Sequence, residues 1–224
     1  MLLAELSGVP SVEAALALPL GERDGQLIDL RMELYGAQAP AYLECPQCDE
    51  GMEDQIDLRR IRLAPPDVGP SPHAWAAGPF AGRLRLPTTE DLLAAAEVPD
   101  AATARSVLLR RLLTELTRYG DRIEPDRLQP DPLPAEVVTA VERELERLDP
   151  QAYIVFSQRC PACAHRFEAP FDIGTYLWHE LDVDARRLLQ EVDALARVYG
   201  WTESEILGLS PARRQTYLEM VGAR

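Results

Sequence analysis

Positive charge is scarce in this sequence. Its 23 basic side chains are all arginine, they face 37 acidic ones, and the formal net charge is −14. A field of that sign repels nucleic-acid backbones and anionic membrane surfaces, so neither is expected as a partner. The lack of lysine carries no functional reading of its own. A cationic leader is missing too: MLLAELSGVPSVEAALALPLGERDG meets its first charge at Glu5 and is broken by Pro10 and Pro19. It reads as neither signal peptide nor membrane span, so a reducing cytoplasm is the expected compartment.

Catalytic signatures are absent as well. There is no GxGxxG, no Walker-type loop and no HExxH, and no nucleophile, acid and base converge at a readable spacing. His179, in TYLWHEL, reads as a helix-surface or packing residue rather than a base, and His73 sits in the Pro-rich loop. At 224 residues and 46% hydrophobic content the chain can bury a core without disulfides. It reads as non-enzymatic.

Cysteine occurs four times, in two pairs. CPQC at 45–48 returns as CPAC at 160–163, and the same 115-residue shift lays YLECPQCDEGMEDQIDL over SQRCPACAHRFEAPFDI. Glu53 and Asp57 then match Glu168 and Asp172. Phe167, Ala169, Phe171 and Ile173 alternate with the period of a strand that has one buried face, and Met52, Ile56 and Leu58 follow suit with Asp54 out of pattern. Each CPxC is expected at a hairpin tip. Two such tips facing each other would offer Cys45, Cys48, Cys160 and Cys163 as the four thiolates of one structural Zn²⁺, with no coordination position left for water.

A clip joining pairs about 110 residues apart removes unfolded-state entropy worth about 4 to 5 kcal/mol on the loop-closure estimate. Three other readings compete: two redox CxxC centres, disulfides, or unrelated buried thiols. Neither knuckle has a glycine after its second cysteine, where Asp49 and Ala164 stand. His165, two residues past Cys163, reads as an exposed hairpin side chain rather than a substitute ligand.

Helices dominate elsewhere. Ser11 caps a short one ending near Pro19, and another spans 22–35, with Leu27, Leu30 and Leu34 on one face and Gly36 as its stop. Residues 64–82 hold too much Pro, Gly and Ala for regular structure and read as a surface loop or linker. RLRLP gives a short strand with Leu84 and Leu86 inward, and Thr88 with Asp91 marks a helix start. Helices are expected over 101–117 and over 134–148, the second with Val138, Val141, Leu145 and Leu148 in register. The tail predicts helices over 183–199, 202–209 and 211–221, with a Thr202/Glu205 capping box and Ser210 as a cap.

The tail is rich in large apolar groups beside arginines, a mixture enriched at protein interfaces. Trp201, Ile206, Leu209, Arg213, Arg214 and Tyr217 are the candidate partner-binding residues. A helix-turn-helix carrying Arg213 and Arg214 is the alternative, and the overall charge opposes it.

Four segments together carry a family resemblance: ALPLGERDGQLIDLRMELYG leading into ECPQC, RLRLPTTEDL, CPAC with FEAPFDI, and YGWTESEILGLSPARRQTYLEM. They resemble baseplate-associated proteins of contractile phage tails and phage-tail-like injection systems, the baseplate hub assembly chaperones in particular. The resemblance implies a cytoplasmic, non-catalytic protein that helps build a baseplate or joins the particle, with other baseplate and tail proteins as partners.

The expected fold is α+β: a small antiparallel β cluster with two CPxC zinc-knuckle hairpins, a split zinc ribbon, surrounded by helices. Residues 1–173 would form this core, with hairpins at about 41–58 and 153–173 and a helical insert at about 88–149; residues 174–224 would form a helical tail. A transcriptional regulator combining zinc ribbon and helix-turn-helix, and a CxxC redox protein, are the competing functions.

Overall fold

The computed structural model describes residues 10–69, 71–123 and 133–222. The amino-terminal residues 1–9, where the leader reading starts, lie outside them. The described chain is α+β, with nine α-helices and three separate antiparallel sheets. It divides into two compact units, Met1–Ile173 and Gly174–Arg224. No helix among the described residues is long and apolar enough to cross a membrane.

The first unit opens with α1 (Val12–Leu16), where Ser11 Oγ accepts the Ala14 amide, and α2 (Leu20–Tyr35). α2 ends at Gly36, whose φ of +82° is easiest for glycine. Leu27 and Leu30 are buried as expected, together with Ile28, but Leu34 is exposed, because the buried face turns toward Arg31 instead. The first cysteine hairpin follows as β1 (Gln38–Glu44) and β2 (Gly51–Asp57), then the one-turn helix α3 (Leu58–Ile61), capped by Asp57. The second hairpin is β7 (Ile154–Arg159) and β8 (Arg166–Phe171).

Between the hairpins the sequence reading needs correction. Residues 64–82 are not all loop, for β3 (His73–Ala77) and β4 (Phe80–Leu84) form a hairpin there, which puts His73 on a strand. The insert over 88–149 is not purely helical either. After α4 (Thr89–Ala96), α5 (Ala101–Leu112) stops at Leu112, and residues 113–118 become strand β5 (Leu113–Arg118), paired with β4 and with β6 (Asp121–Arg122). Tyr119 and Gly120, at φ of +53° and +93°, make the two-residue turn that strand twist favours.

α6 (Ala135–Leu148) packs against this four-stranded sheet. Trp75, Phe80, Leu84, Leu113, Leu116, Val137 and Val141 form its buried core. Apolar burial of this kind stabilises by about 25 cal/mol per Å². Arg85 and Arg111 converge on Asp91, whose carboxylate also accepts the Thr88 amide as a capping box.

The second unit is carried by α7 (Ile173–Tyr199), which starts ten residues earlier than expected, α8 (Glu203–Leu207) and α9 (Pro211–Gly222). The Thr202/Glu205 capping box is present, and Ser210 Oγ accepts the Arg213 amide at 3.4 Å. Tyr199 stacks on Trp201 at 4.6 Å, and Tyr217 meets both rings edge-on.

Candidate metal centre

The two cysteine hairpins are copies of one device. In the first, Glu44 pairs with Gly51 and Leu43 with Met52; in the second, Arg159 pairs with Arg166 and Gln158 with Phe167, the same register after the 115-residue shift. The turns match bond for bond. Cys45 N donates to Glu50 O at 3.0 Å and Cys45 O accepts from Asp49 N at 2.9 Å; Cys160 N donates to His165 O at 2.9 Å and Cys160 O accepts from Ala164 N at 3.0 Å. Asp49 and Ala164 take φ of +58° and +61°, so each knuckle enters the left-handed region without the glycine that normally eases it.

The two tips bring four sulfurs together. Cys45 Sγ lies 3.7 Å from Cys163 Sγ and Cys48 Sγ lies 3.6 Å from Cys160 Sγ, and all four are within 4.8 Å of one another. Four sulfurs placed tetrahedrally around a metal at 2.3 Å stand about 3.8 Å apart, so the donor set fits a closed four-thiolate site of the zinc-knuckle kind. Cys45 and Cys160 are 0% and 1% exposed, while Cys48 and Cys163 face solvent. Each knuckle thus supplies one inner and one outer ligand.

Backbone amides prepare the sulfurs for charge. The Glu50 amide bonds to the Cys48 sulfur and the His165 amide to that of Cys163, again at matching positions. The Cys163 and Ala162 amides, with the thiols around it, draw Cys160 down to about 7. The Glu50 amide lowers Cys48 as well, but its neighbour Cys163, desolvation and the other two thiols push it up to about 12 without a cation present. Four thiolates this close need a metal charge among them to ionise together.

The hairpin roots are tied independently of the sulfurs. Gly21 N, on α2, donates to Asp149 Oδ2 at 2.9 Å, and Leu63 N, just past α3, donates to Gln151 Oε1 at 2.6 Å. Asp149 precedes the 3₁₀ turn Pro150–Ala152 that leads into β7, and Gln151 lies within it. Gln158 Nε2 adds a bond to Asp54 Oδ2 at 3.2 Å between the hairpins themselves. None of these three ties was read from the sequence, since long-range side-chain bonds leave no local signal. The 115-residue match could have pointed to the amide–sulfur bonds.

Other candidate residues are placed as follows. His165 is stacked on Phe167 and lies outside the sulfur cluster. His73 is buried and His179 exposed on α7. In the tail, Ile206 is fully buried, so it packs rather than presents itself to a partner. Arg214 Nε donates to Glu191 Oε2 at 2.7 Å, while Arg213 is exposed and Trp201, Leu209 and Tyr217 are half-buried. Compared with protein-family models, curated proteins and solved structures, the chain matches none.

Proposed function

We propose that this chain is a non-catalytic zinc protein that acts, through protein–protein binding, in the assembly or structure of a contractile phage-tail-like baseplate. The observation that carries the zinc reading is the convergence of Cys45, Cys48, Cys160 and Cys163 from two knuckles of identical geometry. One Zn²⁺ per chain would hold the hairpins together. Because the 3.6 and 3.7 Å sulfur contacts run between motifs, one shared centre is favoured over two independent CxxC redox pairs. All four donors are thiols, which suits a structural ion.

The baseplate reading rests on the sequence resemblance across its four segments. The tail adds half-buried Trp201 and Tyr217 and exposed Arg213, residue types that anchor interfaces. Metal analysis of protein purified without chelator tests the first half: one zinc per chain is expected, and the absence of stoichiometric metal would overturn it. Co-purification of the tagged chain with sheath, tube or baseplate proteins tests the second. Salt-sensitive, sub-micromolar binding to duplex DNA would instead favour a transcriptional regulator.

A further inference from the structure

The two cysteine hairpins match in geometry and differ in charge. Residues 38–57 hold six acidic side chains and no basic one, whereas residues 154–171 hold Arg159 and Arg166 against the single acid Glu168. The difference is greatest next to the turns. Under the 115-residue shift Arg159 takes the position of Glu44 and Arg166 that of Gly51, and the pairing register sets the two members of each couple directly across the strands.

Like charges directly opposite each other in an antiparallel pair destabilise it. Arg159 and Arg166 are exposed, and neither has a carboxylate partner among the described residues. The hairpin does not require this pair, since the first copy adopts the same register without it. Two guanidiniums so placed are open to carboxylates from another molecule.

The first hairpin presents the complement. Tyr42, 64% exposed, stands across from Glu53 and lies over Gly51, where a Cβ would collide with its ring, and Glu44 is two residues along on the same face. With Pro40 and Gln55, Tyr42 and Glu53 line a depression of about 580 Å³. Glu44 and Glu53 are exposed, with no cation beside them among the described residues. A guanidinium stacks on a tyrosine face while its edge bonds carboxylates, so an exposed tyrosine beside two such carboxylates is a receptor for arginine.

We propose that the Tyr42, Glu44 and Glu53 face of the first hairpin binds the Arg159–Arg166 face of a second copy of this chain. Charge complementarity selects that occupant, because one chain carries both halves. The net charge of −14 opposes approach at long range. At physiological ionic strength the Debye length is about 8 Å, so that repulsion is screened while contact pairs persist. The inference does not depend on the baseplate reading.

Sedimentation velocity of the full-length metal-loaded chain over a range of concentrations tests it. The wild type should self-associate. Glu44→Arg with Glu53→Arg, and separately Arg159→Glu with Arg166→Glu, should each weaken association about tenfold or more. Melting and metal content should not change, as all four positions are exposed. An equal mixture of the two variants should associate again, since each supplies the face that the other lacks. Should a double reversal disturb the metal, Tyr42→Ala and Arg166→Gln are the milder pair and should weaken association in the same assay. A wild type that is monomeric at every concentration, association indifferent to the substitutions, or a mixture of folded variants that stays monomeric would overturn the proposal.

Discussion

The two cysteine hairpins and the sheet–helix body beside them in the first unit are stabilised by different means. The body of β3–β6 and α6 has a contiguous apolar core in which Leu84, Leu116 and Val137 are wholly buried. The hairpins have almost none: of their four strands only Ala39 and Ala169 are buried. A two-stranded hairpin alone is marginal in water. Where burial supplies little, the sulfur cluster, two root hydrogen bonds and the Gln158–Asp54 bond are left to hold the geometry, and a bound metal would become part of the fold.

The largest effect should come from breaking the sulfur cluster. Structural zinc contributes roughly 10 to 16 kcal/mol of apparent binding energy at neutral pH. Cys160→Ser, or a strong chelator, should abolish stoichiometric metal and collapse amide-exchange protection over residues 38–57 and 154–171, while protection in α6 persists. If α6 opens with the hairpins, the two regions are one cooperative unit and the contrast fails.

Asp91→Asn tests the body through its buried ion cluster, with a side chain 1% exposed. Loss of the charge that Arg85 and Arg111 share should cost about 3 kcal/mol, read by denaturant melts. Burial alone would raise the Asp91 carboxyl, but hydrogen bonds from Arg85, Arg111 and Thr88 hold it well below the usual carboxylate range. Its contribution is thus complete above the unfolded value of about 3.9 and disappears as pH falls through the folded one. The gap between wild type and variant should narrow in acid.

Leu116→Ala should cost about 2 to 5 kcal/mol by opening a cavity in a site with 0% exposure, leaving zinc content unchanged. Metal loss in that variant would show the core and the knuckles to be coupled. The smallest effect sharpens the comparison between the knuckles. Ala164→Gly should stabilise the metal-loaded protein by about 1 kcal/mol, since alanine is strained at positive φ. Asp49→Gly should gain less, because aspartate tolerates that conformation better.

How much was legible in advance follows the range of the interaction. The knuckles repeat a short pattern whose turn bonds lie within six residues, and the Thr202/Glu205 cap is equally local, so both could be read from the residues. The stretch LLRRLLTELT fits a helix by apolar spacing, yet it becomes strand after Leu112 because β4 offers Leu113 and Leu116 a sheet partner. HAWAAGPFAG has few β-formers and a Gly-Pro turn, yet it forms β3 and β4, where Trp75 and Phe80 reach the core covered by α6.

The sequence by itself determined that this chain has two equivalent thiol-bearing turns and a helical tail, because spacing, capping and side-chain alternation act between near neighbours. Only the tertiary structure decided that the turns meet at contact distance, that a four-stranded sheet separates them along the chain, and that Asp149 and Gln151 bond to Gly21 and Leu63. Those outcomes depend on which distant surfaces can be buried together and which distant polar groups satisfy one another, and neither is written in any short run of residues.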